Sequence, residues 1–281
     1  LTIQLPLEDS DLAPATETGS GVLAILPDLA YRRMSIVNVI FYGEPAMDKA
    51  WVLIDTGLAT SGKAIIEAAE HRFGHARPPS AILMTHGHFD HAGALEALAR
   101  HWDVPVYAHP LEFPYLRGEN SYPPADPLVG GGAMALLSPL YPRSPVDIGQ
   151  WLRALPADGS TPFMPGWTWL HTPGHTPGHV SFWRASDRCL IAGDAIITTG
   201  QESVYEVLTQ RPEMHGPPRY MTSDWQEAMD SVVELAALEP ETIIAGHGRP
   251  MRGPNVTARL HELADNFAEI AIPTTMRPNN R

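Results

Sequence analysis

The chain has 281 residues, 44% hydrophobic and 18% charged, enough to bury a full core in one large domain or two small ones. Its 19 basic and 32 acidic residues, a net charge of −13, argue against a nucleic-acid surface, which needs clustered Lys and Arg to displace counterions from phosphates. The single cysteine, Cys189, excludes an intrachain disulfide and thiolate zinc sites, and no run reaches the ~18 consecutive apolar residues of a membrane span. Cysteine usage leans to the cytoplasm, although the numbering opens at Leu1 rather than Met, which leaves room for a trimmed signal segment.

Taken in chain order, the N-terminal part reads as strands over Gly21 to Leu26, Ser35 to Phe41 and Ala50 to Ile54. A helix is predicted from Ser61 to Phe73, then a strand ending at Met84, a helix from His91 to His101 and a short strand from Val104 to Ala108. From Leu111 to Gly166 the character changes: ten prolines, the triplet Gly130-Gly131-Gly132 and the aromatics Phe113, Tyr115, Tyr122, Tyr141 and Trp151. A long irregular stretch inside a compact domain tends to be functional. We read it, with a helix over Ala133 to Leu137, as a partly ordered cap inserted in a single domain spanning 1–281. Strands return at Trp167 to Leu170, Val180 to Trp183 and Cys189 to Ala192, the last two joined by a turn at Ser186-Asp187. A helix follows from Ser223 to Leu238, with Ser223 as N-cap and Gln226 at capping-box spacing. Then come the strand Thr242 to Ala245, a helix from Asn255 to Ile270 and a tail from Pro273.

The segment Thr85-His86-Gly87-His88-Phe89-Asp90-His91 carries the chemistry. Four ligand-type side chains fall within six residues, directly after the apolar run Ala81 to Met84, on the loop that ends a buried strand. If the backbone is extended at His86 and His88, period-2 spacing points both imidazoles the same way. So many borderline donors on one loop favour a transition metal, most simply zinc. Other apolar strands end in the same manner: Asp55 follows Trp51 to Ile54, His175 lies just beyond Trp167 to Leu170, Asp194 follows Leu190 to Gly193, and His247 follows Ile243 to Gly246. Strand ends of one sheet layer share an edge, so groups far apart in sequence can converge there. His71 and His75 read as solvated surface, His171 and His179 as loop or supporting groups, and His101, His109, His215 and His261 as structural.

These motifs, THxHxDH at 85–91, TPGHTPGH at 172–179, AGDA at 192–195 and AGHG at 245–248, with LIDTG at 53–57, resemble the metallo-β-lactamase superfamily from about Val22 to Gly253. The resemblance implies an α+β fold, a four-layer αββα sandwich with a metal site at one edge of two facing sheets. It places His86, His88 and His175 on a first metal, Asp90, His91 and His247 on a second, and Asp194 between the two. Asp55 would orient a ligand rather than bind metal.

Two divalent ions, most simply Zn2+ with iron or manganese as alternatives, would share a hydroxide that attacks an ester, thioester, lactone or amide of a small-molecule acyl substrate. Asp90 has the second task of orienting that water or carrying its proton. A glyoxalase II-like thioesterase shares the motifs but adds a C-terminal region, whereas 34 residues follow His247 here. Lactonases of this fold carry a tyrosine three residues after the bridging aspartate, where this chain has Ile197. The alternative readings are an oxidoreductase, similar to the mononuclear-iron persulfide dioxygenases, and a non-catalytic metal-binding module. The oligomeric state has no signature in the sequence.

Overall fold

Apolar runs without alternation suit strands covered on both faces, and such runs, Val52–Ile54 and Ala81–Leu83, are buried throughout. They lie at the centre of a sheet in the computed structural model, which describes residues 5–45, 49–127, 129, 132–142, 146–202 and 204–277. The chain forms two compact units, one of residues 14–122 with 142–169, the other of residues up to 13, 123–141 and from 170 onward.

The unit built on residues 14–122 carries an eight-stranded sheet in sequential order: Thr16–Glu17, Leu23–Leu26, Leu29–Met34, Val37–Tyr42, Val52–Ile54, Ala81–Leu83, Val106–Ala108 and Leu152–Ala154. Neighbours run antiparallel as far as Val52–Ile54 and parallel from there on. The helices Gly62–Phe73 and Leu95–Trp102 bury Ile65, Phe73, Leu95 and Leu98 against Leu53, Ile82 and Val106. Leu29–Met34, half of a hairpin whose turn places Ser35 at φ 63°, escapes the sequence reading because Arg32 and Arg33 interrupt its apolar pattern. Arg32 stays in the strand because its guanidinium donates to the Ala64 carbonyl at 2.6 Å.

The helix expected over His91 to His101 is in fact two, Phe89–Ala92 and Leu95–Trp102. Gly93 lies between them, donating to the Gly57 carbonyl at 2.9 Å. A Cβ there would stand 2.4 Å from the Ala59 nitrogen. The break thus comes from close backbone approach, which periodicity does not report.

A five-stranded sheet has the order Trp167–His171, Val180–Arg184, Cys189–Gly193, Thr242–Ala245, Met251–Arg252, with the pair Cys189–Gly193 and Thr242–Ala245 parallel. Val180–Arg184 and Cys189–Gly193 form the expected hairpin. Helices Trp225–Ala237 and Pro254–Asp265 bury Val232, Leu235, Leu260 and Leu263 with Leu190 and Ile243. The last helix stops at Asp265 and resumes as Phe267–Ile270.

Within 111–166 the helix Ala133–Leu137 is present as expected, together with Phe113–Leu116 and the strand Leu152–Ala154. Gly130 and Gly131 of the glycine triplet, and 278–281 of the tail, lie outside the described residues. No helix among the described residues is long and apolar enough to cross a membrane.

The helix Trp225–Ala237 is capped by Asp224, not Ser223: the Asp224 carboxylate accepts from the amides of Gln226 and Glu227 at 2.9 and 3.0 Å. Ser223 turns the other way and donates to the carbonyl of Gly174 at 2.9 Å. Asp224→Ala is therefore expected to cost about 1 kcal/mol, the usual worth of an N-cap, read as a lowered midpoint in urea unfolding with an unchanged slope.

Candidate metal centre

In the unit of residues 14–122, parallel register brings the ends of Val52–Ile54 and Ala81–Leu83 side by side, pairing Ile54 with Leu83. Asp55 and Thr85 therefore follow their strands at the same edge. Asp55 adopts φ 58°, a left-handed conformation that Asp tolerates better than most residues. Its buried carboxylate accepts from the Thr85 amide at 2.9 Å, the Thr85 hydroxyl at 2.8 Å and His91 Nδ1 at 2.8 Å. The Thr85 hydroxyl in turn lies 3.0 Å from His86 Nδ1. With Nδ1 of both rings directed to this network, both imidazoles take the tautomer that carries its lone pair on Nε2. That is the orienting role expected of Asp55.

His86, His88, Asp90 and His91 are all buried. Ligand atoms of the pairs His86–His88, His86–His91 and Asp90–His91 come within 4.8 Å. The His86 and His88 rings stand 4.7 Å apart at 89°, so the spacing converges the two nitrogens without making the rings coplanar. Asp90 and His91 are set by the short helix Phe89–Ala92, whose N-cap is His88.

In the other unit, Asp194 follows Cys189–Gly193 and His247 follows Thr242–Ala245, again at the ends of parallel neighbours. His247 Nε2 lies 3.1 Å, and His175 Nε2 3.5 Å, from Asp194 Oδ2. All three are at least 97% buried. His179 holds Asp194 in place. Its Nε2 accepts from the Asp194 amide at 2.9 Å, while Nδ1 faces the hydroxyl and carbonyl of Thr172 at 2.9 and 3.1 Å. The loop bearing His175 is tied to the segment before the Trp225 helix: Ser223 donates to the Gly174 carbonyl, and Thr222 Oγ1 lies 3.5 Å from His175 Nδ1. Residues Thr222 and Ser223 thus anchor the loop of a ligand-type histidine.

Of the remaining histidines, His215 is buried against Glu213 at 3.0 Å, His75 is exposed beside Glu70, and His171 meets the Pro177 carbonyl. Two features were invisible in the sequence: the contact of His179 with the Asp194 amide, and a fully buried Glu112 that accepts from the Gly87 amide at 2.9 Å. Glu112 sits in a proline-rich stretch with no spacing relation to the histidines.

The aromatics named from the 111–166 stretch separate. Tyr122 lies 4.5 Å from the His88 ring, centroid to centroid, and Tyr115 stacks on Tyr122 at 3.8 Å. Trp151 precedes Leu152–Ala154, which runs parallel to its neighbours, so it stands where these strands begin, with Nε1 on Asp103 at 2.8 Å. About 10 Å of strand separates that edge from the one that bears His86. Trp151 therefore does not wall the histidine loop, although the sequence groups it with the other aromatics of the cap.

The family model of the metallo-beta-lactamase superfamily matches residues 33–247. The chain belongs to this superfamily. It is 49% identical over 237 residues to "Probable metallo-hydrolase YflN" of Bacillus subtilis (strain 168), covering 84% of this chain and 90% of that one. It is 29% identical over 238 residues to a "Hydroxyacylglutathione hydrolase" of Alkalilimnicola ehrlichii, covering 80% and 72%. Among solved structures it is similar to the B3 metallo-beta-lactamase BLEG-1, with a TM-score of 0.54 and 23% identity over 84% of this chain and 96% of that one. The fold is accordingly the αββα class of the metallo-β-lactamase superfamily, as expected from the motifs.

Removing the Asp55 carboxylate leaves a buried amide, hydroxyl and imidazole without their acceptor. Asp55→Ala is expected to destabilise the metal-free protein by about 3 kcal/mol, measured by urea unfolding in the presence of a chelator. A loss below about 1 kcal/mol, the worth of one ordinary hydrogen bond, would show that the network is not structural.

Proposed function

We propose that this chain is a metal-dependent hydrolase of a small-molecule acyl substrate, an ester, thioester, lactone or amide, with a centre for two divalent cations. The observation that carries this reading is the burial of histidines and carboxylates in both units, with ring tautomers directed by Asp55 and Thr85 in one. Buried carboxylates and imidazoles at this density need pairing or a metal. Nitrogen and oxygen donors without thiolate suit zinc, with iron and manganese as the alternatives. In this reading His86, His88 and His175 hold one cation, Asp90, His91 and His247 the other, and Asp194 is shared. Membership of the superfamily and the name borne by YflN support it.

Two such cations, when bound, supply a water acidified toward neutrality and a Lewis-acid contact for the acyl oxygen. The chain's own residues do the rest. Asp55 and Thr85 keep His91 and His86 in one tautomer, and His179 fixes the backbone of Asp194. Asp90, beside His91, receives or orients the proton of the attacking water. The 111–166 segment acts as a cap. Tyr115, stacked on Tyr122 beside the histidine loop, is its candidate for contact with an acyl group. The similarity to a hydroxyacylglutathione hydrolase favours an ester or thioester over an amide.

Metal analysis together with a screen of ester, thioester, lactone and β-lactam substrates tests this function. Asp194→Ala should lower metal stoichiometry and abolish hydrolysis together, and full activity in that variant would sink the dinuclear centre. Asp90→Asn should lower kcat by about 10²–10⁴-fold, more than it lowers occupancy of the second cation. Equal losses would make Asp90 a ligand only.

A further inference from the structure

The histidine loop is gripped from outside the ligand set. Gly87, between His86 and His88, directs its single amide proton to two acceptors, Glu112 Oε2 at 2.9 Å and the Tyr122 hydroxyl at 3.0 Å. The Tyr122 hydroxyl donates its own proton to the same Glu112 oxygen. Glu112 is fully buried and Tyr122 nearly so. The space is closed: a Cβ on Gly87 would stand 2.7 Å from the Tyr122 hydroxyl and 3.2 Å from Leu116. The Tyr122 ring packs on His88 at 4.5 Å and is backed by Tyr115, stacked at 13°. Burial first, and then the Glu112 carboxylate, hold the Tyr122 phenol well above its ordinary pKa.

A buried carboxylate is costly unless its lone pairs are matched, and charge-assisted hydrogen bonds are short and strong. Here the Gly87 amide and the Tyr122 hydroxyl, two donors to Glu112, belong to the loop and to the ring that abuts it. Glu112 lies in the turn Pro110–Glu112 that ends Val106–Ala108, the parallel neighbour of Ala81–Leu83. The same sheet edge therefore sets both sides of the grip.

We propose that Glu112 and Tyr122 are positioning residues for the metal centre: by fixing the Gly87 amide and the face of His88, they set the angle and separation at which His86 and His88 present their nitrogens. This inference rests on the metal-centre reading given above.

The test uses full-length protein, stripped of metal and titrated with Zn2+ against a chromophoric chelator, and with Co2+ followed by its visible d–d absorption. Glu112→Ala should weaken Zn2+ binding at the site of His86 and His88 by about 10–100-fold, the usual effect of losing a group that orients a ligand, and should alter the Co2+ band shape. Glu112→Gln keeps an oxygen for the Gly87 amide while removing the charge, so it should keep affinity less than about 10-fold below that of the parent and return the band shape to that of the parent. Tyr122→Phe keeps the ring on His88 but loses the hydroxyl, and should fall between the two. If Glu112→Ala does not fold, Gln and Phe carry the test, since an affinity drop in Glu112→Gln as large as 10-fold would make charge rather than position the cause and overturn the inference. Parent protein that binds Zn2+ and Co2+ while all folded variants match its affinity and spectrum would overturn it as well. A parent that binds neither cation would overturn the metal-centre reading, and this inference with it.

Discussion

The carboxylate of Asp55 is the point on which the histidine loop of residues 85–91 depends. It sits where two parallel strands end, in a left-handed backbone conformation, and accepts from a backbone amide, a hydroxyl and an imidazole. A buried carboxylate with that many donors is held in one orientation. So are its partners: the His91 ring directly and the His86 ring through Thr85. The strained φ of Asp55 persists because the strand before it and the Thr85 backbone beside it over-determine its position.

The other unit reaches the same result by different means. Parallel pairing of Cys189–Gly193 with Thr242–Ala245 sets Asp194 near His247. The Asp194 backbone is then pinned by the His179 ring, and the His175 loop is sewn to the residues that precede the Trp225 helix. In each unit a regular element ends, and a buried polar side chain that is not itself in the ligand set fixes what comes next. That is the pattern expected of sites that need ligands held to within a fraction of an ångström.

The 111–166 stretch makes several distinct contributions rather than acting as one undifferentiated loop. Glu112 and Tyr122 touch the histidine loop, and Val129 and Ala135 pack with Tyr220, in the segment that leads to Thr222. Trp151, its most conspicuous aromatic, faces Asp103 at the opposite end of the strands. Composition identified the stretch as functional without distinguishing these parts, because prolines and aromatics mark reduced chain entropy and apolar surface, not direction.

What the sequence by itself determined was everything carried locally. Apolar runs marked the strands, because burial on both faces demands unbroken hydrophobicity. The ligand-type residues stood directly after those runs, and their order and spacing sufficed to indicate the superfamily. The helix Ala133–Leu137 and the Ser186-Asp187 turn were legible for the same reason. Only the tertiary structure decided which donor each buried carboxylate meets. Glu112 finds the Gly87 amide 25 residues away, and Asp55 finds His91 at a separation of 36. Tertiary contact also decided that Asp224 rather than Ser223 caps its helix, and that Gly93 breaks another against the backbone of Ala59. Strand register and the approach of one backbone to another fix these contacts, and neither leaves a periodic trace along the chain.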